Sequence, residues 1–156
     1  MQIMDFLSKK AISVDIKGIK KEEVIKELVD LLINSGEIDK KYRVKITELL
    51  MNREKLGSTA IGQGVAIPHA KADCVEKLIG AFGVSQKGVD FDSLDGEPAY
   101  IFFLLLAPQE SAGPHLKALA RISRLLKDKY FRESLRQIKD VKTALKIISA
   151  EDEKKI

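Results

Sequence analysis

His69 and His115 are the only two histidines in 156 residues, and both stand in frames that hold an imidazole still. Imidazole is the one side chain whose ordinary pKa lets it offer a lone pair or a proton near neutral pH. Each is therefore a candidate nucleophile, base or donor. His69 closes the run Gly62-Gln-Gly64-Val-Ala-Ile-Pro68-His69. The two glycines permit backbone turns and close approaches that a side chain would block. Val65, Ala66 and Ile67 read as a short buried strand, and Pro68 fixes φ and lacks the N–H for the next ladder bond. His69 is thus expected on a short, stiffened loop at a strand end, where α/β proteins keep their chemistry. His115 sits in Ser111-Ala-Gly-Pro114-His115. With Pro114 as first helical residue, His115 falls in the first turn, where free N–H groups point outward and the dipole favours anions over imidazolium. The plain alternative for either histidine is a structural one, packed in the core or exposed at a helix start.

Arg53 completes a constellation. It lies four residues beyond Leu49 and seven beyond Ile46, so it continues the inward face of a helix over Asp39 to Arg53. Two histidines and an arginine suit a phosphoryl group: a neutral imidazole can attack phosphorus, and a guanidinium can fork two of its oxygens. Ser58 and Thr59 are candidate hydroxyl donors in the adjoining phosphate loop, with ordinary loop capping as their alternative role. Two histidines without a third, or a nearby cysteine, make a poor zinc site, so no metal is expected. The glycine loop lacks the Gly-Lys-Ser/Thr ending of a nucleotide P-loop.

The elements that must position these groups follow from periodicity. A first strand is expected over Ala11 to Ile16, and a helix over Lys20 to Ser35 with Gly36 as its stop. A strand over Leu78 to Ser85 is followed by a turn at Gln86-Lys87-Gly88. Ala99 to Ala107 is apolar on both alternations, the mark of a central strand covered on both faces. Three helical patterns close the chain over Gly113 to Lys127, Tyr130 to Lys139 and Val141 to Ala150, and residues 151–156 are expected to fray. That order predicts one domain over residues 1–150, built on a mixed central sheet with helices on both faces. The charge count is 27 cationic against 23 anionic residues, interspersed along the helices, so a solvated mixed surface is expected and no nucleic-acid partner. A lone cysteine, Cys74, excludes an internal disulfide and suits a reducing compartment. The longest apolar run is far short of the ~20 residues a membrane span needs, and the first residues lack the order of a signal peptide. A cytoplasmic domain with no direct membrane insertion is expected.

Glu54-Lys-Leu-Gly-Ser-Thr-Ala-Ile-Gly62 followed by Gly64-Val-Ala-Ile-Pro-His-Ala70 resembles the active-site signature of type-2 EIIA domains of the bacterial sugar phosphotransferase system, the fructose, mannitol and nitrogen-regulatory branch. Gly88-Val-Asp-Phe91, Leu104-Leu-Leu-Ala-Pro108 and Gly113-Pro-His-Leu-Lys-Ala-Leu-Ala-Arg-Ile-Ser123 follow in the family's order, and the likeness spans at least Arg53 to Leu126. The resemblance implies an α+β fold, a three-layer α/β/α sandwich. It implies that His69 accepts phosphate from the phosphocarrier HPr and passes it to a cysteine of an EIIB domain, which serves the membrane component EIIC. His115 and Arg53 would stabilise the phosphoryl group, and no cofactor is called for. Three functions are compatible with it: a phosphocarrier of sugar uptake, a nitrogen-regulatory phosphoprotein read by partner proteins, and a non-phosphorylated interaction module. The last predicts loss of the reactive histidine, which is present here.

Overall fold

The computed structural model describes residues 1–155. The chain runs β1 (Leu7–Ser13), α1 (Lys21–Asn34), α2 (Arg43–Lys55), β2 (Ala60–Gly62), β3 (Val65–Ala66), β4 (His69–Lys71), β5 (Ile79–Val89), β6 (Ala99–Ala107), α3 (Ala112–Leu125), α4 (Lys129–Arg136) and α5 (Val141–Lys154). The strands form one mixed sheet in the order β1-β5-β6-β3-β2, with β4 also paired to β6. β6 is antiparallel to β5 and parallel to β3 and β4.

β6 explains the layering. Its even positions Phe102, Leu104 and Leu106 join a core with α1 and α2. Its odd positions Ile101, Phe103 and Leu105 join a second core with α3, α4 and α5. A strand covered on both faces has no polar alternation to show. α1 contributes Val24, Ile25, Leu28, Val29 and Leu32, all without solvent exposure, each worth about 1.5–3 kcal/mol of burial. It stops where Gly36 takes φ +84°, with its N–H donated to Ile33. Among the described residues no helix is long and apolar enough to cross a membrane.

The structure departs from the sequence reading in several places. β5 runs straight through Gln86-Lys87-Gly88, with a register irregularity between Val84 and Val89 in place of a turn. β1 starts at Leu7, earlier than expected, because its exposed Lys9 and Lys10 hide the alternation. α3 starts at Ala112, so Pro114 is its third residue, a place where a missing N–H still removes no intrahelical bond. Residues 151–154 do not fray: they are the last turn of α5, and Glu151 and Asp152 are buried. Arg121 donates to the Asp152 carboxylate at 2.8 Å, and that carboxylate also accepts the Met4 N–H at 3.0 Å. Residue 156 lies outside the described residues.

Candidate functional site

His69 is not on a loop. It opens β4, opposite Leu105, and the register of β3 on β6 continues unbroken across Pro68 into β4. Pro68 interrupts the ladder only as a donor, for its carbonyl still accepts the Leu105 N–H at 2.9 Å. Upstream, Gly62, Gln63 and Gly64 all have positive φ, and the Asp95 carboxylate accepts the Gln63 N–H at 2.8 Å. That turn fixes where the interrupted strand begins. His69 therefore stands on an edge segment of the sheet, with the end of α2 on one side and the start of α3 on the other.

The groups singled out in the sequence converge there. The His69 and His115 rings lie edge to face with centroids 5.4 Å apart. Both line an open hollow of about 510 Å³ with Leu49, Asn52, Arg53, Leu56, Ala70 and Lys71. His69 Nδ1 lies 2.7 Å from the Ile67 carbonyl. A carbonyl only accepts, so Nδ1 carries the proton and the lone pair of the neutral ring is on Nε2. His115 is buried, and its Nε2 has no hydrogen-bond partner among the described residues. Arg53 is half-buried and parks one guanidinium nitrogen on the Gly57 carbonyl at 2.7 Å.

The site disfavours positive charge on either ring. Burial holds His69 below the ordinary imidazole range, its bond to Ile67 works against that, and Arg53 lowers it further. Burial pushes His115 down to about 4, helped by the like charge of His69 and Lys71. At neutral pH the hollow thus presents two uncharged imidazoles beside two cationic side chains, an arrangement fit to receive an anion and attack it.

Ser58 and Thr59 are committed to the protein. Ser58 donates to the Phe91 carbonyl at 2.6 Å and accepts from the Ala60 N–H at 3.0 Å. Thr59 is buried and bonds the Glu54 carboxylate through both its hydroxyl and its N–H. Glu54 was missed in the sequence. It is buried, takes Thr59 on one side, and pairs with Lys21 at 3.2 Å on the other. It thereby fastens the loop whose Gly57 holds Arg53. The signal was present: Glu54 falls four residues after Leu50 and eight after Ile46, on the buried stripe of α2. Lys71 was missed as well, because nothing marked so short a β4.

The comparisons fit this geometry. The model of the family described as phosphoenolpyruvate-dependent sugar phosphotransferase system, EIIA 2, matches residues 5–151. The chain belongs to that family of phosphotransfer components. A nitrogen regulatory protein of Bradyrhizobium diazoefficiens is 39% identical over 149 residues, covering 96% of this chain and 95% of that protein. The fructose-specific EIIABC component of Bacillus subtilis is also 39% identical, over 152 residues, yet the chain spans only 24% of its length. The crystal structure of nitrogen regulatory protein IIA-Ntr from Neisseria meningitidis superposes with a TM-score of 0.84 at 34% identity, over 94% of this chain and 98% of that one. The mannitol enzyme IIA of Escherichia coli, solved in complex with phosphorylated enzyme IIB, shares the fold at a TM-score of 0.76 and 23% identity.

Proposed function

We propose that His69 accepts a phosphoryl group from phosphorylated HPr and passes it to a cysteine of an EIIB partner during uptake of a fructose- or mannitol-class sugar. The observation that carries this reading is the free Nε2 of His69, fixed by the Ile67 carbonyl, facing a buried His115 whose own Nε2 is unpartnered. The lone pair on Nε2 attacks phosphorus as the N–P bond to the donor histidine breaks. No proton has to move, because Nδ1 already carries one and keeps it. The Ile67 carbonyl then stabilises the positive character that the phosphorylated ring acquires. Arg53 and His115 bind the phosphoryl oxygens as supporting residues. Exposed Leu56 and Leu116 beside the hollow supply an apolar docking face for partners that bind briefly. In this reading the chain works in the cytoplasm.

A second reading makes the chain a regulatory phosphoprotein. It is favoured by the match to nitrogen regulatory proteins over nearly the full length of both chains. Incubation with phospho-HPr should add one acid-labile phosphoryl group, and His69→Ala should abolish it. Undiminished labelling of the alanine variant contradicts the assignment. Chase with a fructose-type EIIB then separates the two readings. Uptake predicts that the label moves to the EIIB cysteine, and regulation predicts that it stays on His69.

A further inference from the structure

β4 delivers a second charged side chain to the same hollow. Residues two apart on a strand share a face, and the burial of β4 runs half-buried, buried, half-buried. Ala70 turns into the core under α1 and α2, while His69 and Lys71 stand together on the other side. Lys71 lines the hollow with both histidines and Arg53. Two carboxylates of the surrounding elements are paired elsewhere, Asp73 with Lys45 and Glu54 with Lys21. Among the described residues Lys71 has no salt-bridge partner of its own. Lys71 is half-buried and shares the hollow with two imidazoles and a guanidinium. It repels positive charge on His115. Such an arrangement makes physical sense when a doubly charged anion arrives between them.

We propose that Lys71 is a phosphoryl-holding residue of this site, its ammonium contacting an oxygen of the group carried on His69 Nε2 while Arg53 takes others. The proposal rests on His69 being the acceptor. The division of labour follows from shape. A guanidinium forks two oxygens in one plane, whereas an ammonium on a flexible stem follows a third as the group swings in from a donor or out to an acceptor. Lys71 makes and breaks no bond. Its part is electrostatic, and it strengthens as the partner surface excludes water.

The test compares wild type, Lys71→Met and Lys71→Arg, first at equilibrium with phospho-HPr and then, once loaded, after removal of the donor. The readouts are the equilibrium share of phosphoryl on His69 and the ³¹P titration of the phosphohistidine. Lys71→Met should move the equilibrium towards phospho-HPr by about tenfold, the loss of one charged contact. The phosphoryl group should titrate at higher pH in the methionine variant, since a cation favouring its dianion is gone. Lys71→Arg should recover most of both effects. The ³¹P titration is read without any partner protein, so weakened docking cannot imitate it. A methionine variant that matches wild type in both readouts overturns the role of Lys71 and leaves His69 as the acceptor. A wild-type protein that takes no phosphoryl group on His69 overturns both.

Discussion

Helix α3 carries two buried polar clusters, and they differ in whether their hydrogen bonds are complete. Nearly two turns beyond His115, Arg121 uses every guanidinium nitrogen: on the Asp152 carboxylate, the Asp152 carbonyl and the Lys155 carbonyl. Asp152 in turn accepts the Met4 N–H, so both ends of the chain are fastened to the same helix. Beside this pair the buried Glu151 Oε2 makes no hydrogen bond and is held by the Lys155 ammonium at 3.4 Å. At the start of the helix the pattern reverses. Among the described residues His115 Nε2 has no partner, His69 Nε2 makes no hydrogen bond, and Lys71 has no counter-charge. Buried polar groups are almost always satisfied, so an unfinished cluster in an open hollow marks a place completed by something else. Saturation is the signature of a clamp, and vacancy that of a binding site.

The clamp should fail the more violently of the two. Asp152→Ala leaves the Arg121 guanidinium, only 9% exposed, without its anion. Loss of one partner of such a pair removes about 3–5 kcal/mol of stability, measurable by urea unfolding, while phosphorylation of the folded fraction is retained. A variant as stable as wild type would show that the cluster is not a clamp.

His115 should make the folded state sensitive to acid. Its folded pKa of about 4 lies below the ordinary imidazole value that the unfolded chain has. Between those values the unfolded chain holds a proton that the folded chain does not, so stability falls as pH drops from ~6.5 towards 4, by on the order of 3 kcal/mol. His69 acts in the same direction. Unfolding free energies across that window should show a shallower slope in His115→Gln. An unchanged slope would contradict the burial account.

Next in size is Arg53→Ala, which removes charge from the vacant cluster without touching the nucleophile. Transfer should slow by about a hundredfold with the label still on His69, and stability should change little, since Arg53 is half-buried and bonds one local carbonyl. Rapid-quench transfer from phospho-HPr measures the first, and equal rates would remove Arg53 from the site. Glu54→Gln should have the smallest effect. The carboxylate favours protonation of His69, so its loss should lower the His69 pKa slightly further, as expected for a screened charge. A rise, followed by NMR, would mean that Glu54 acts on His69 only through the loop it anchors.

What was legible in the sequence, and what was not, divides along the same line. β6 betrayed itself by being apolar on both alternations. Arg53 stood out by its spacing from Ile46 and Leu49, though the buried stripe of α2 ends on Glu54 and Arg53 lies half-buried on its flank. Both signals are local and periodic. The clamp was invisible for the opposite reason: Glu151-Asp-Glu-Lys-Lys155 reads as a solvated tail until Arg121 and Met4, distant in sequence, are folded against it. Strands of two or three residues, such as β3 and β4, are too short for any period to register. β5 hid its continuation behind Gln86-Lys87-Gly88, whose Gly88 at φ +84° looks like a turn and is instead part of an irregular strand. Of the site, the histidines and arginine stood out by chemistry and spacing, whereas Glu54 and Lys71 are ordinary charges given meaning by their neighbours.

The central claim is that the vacant cluster is built to receive a phosphoryl group on His69. NMR titration of both imidazoles, before and after phosphorylation by phospho-HPr, tests it most directly. In the free protein both should titrate below the ordinary ~6.5, with His115 lowest, near 4. On phosphorylation the new negative charge beside the buried ring should raise the His115 pKa. A His69 that titrates well above 6.5 in the free protein, or a His115 that stays put or falls when His69 is loaded, would contradict the account.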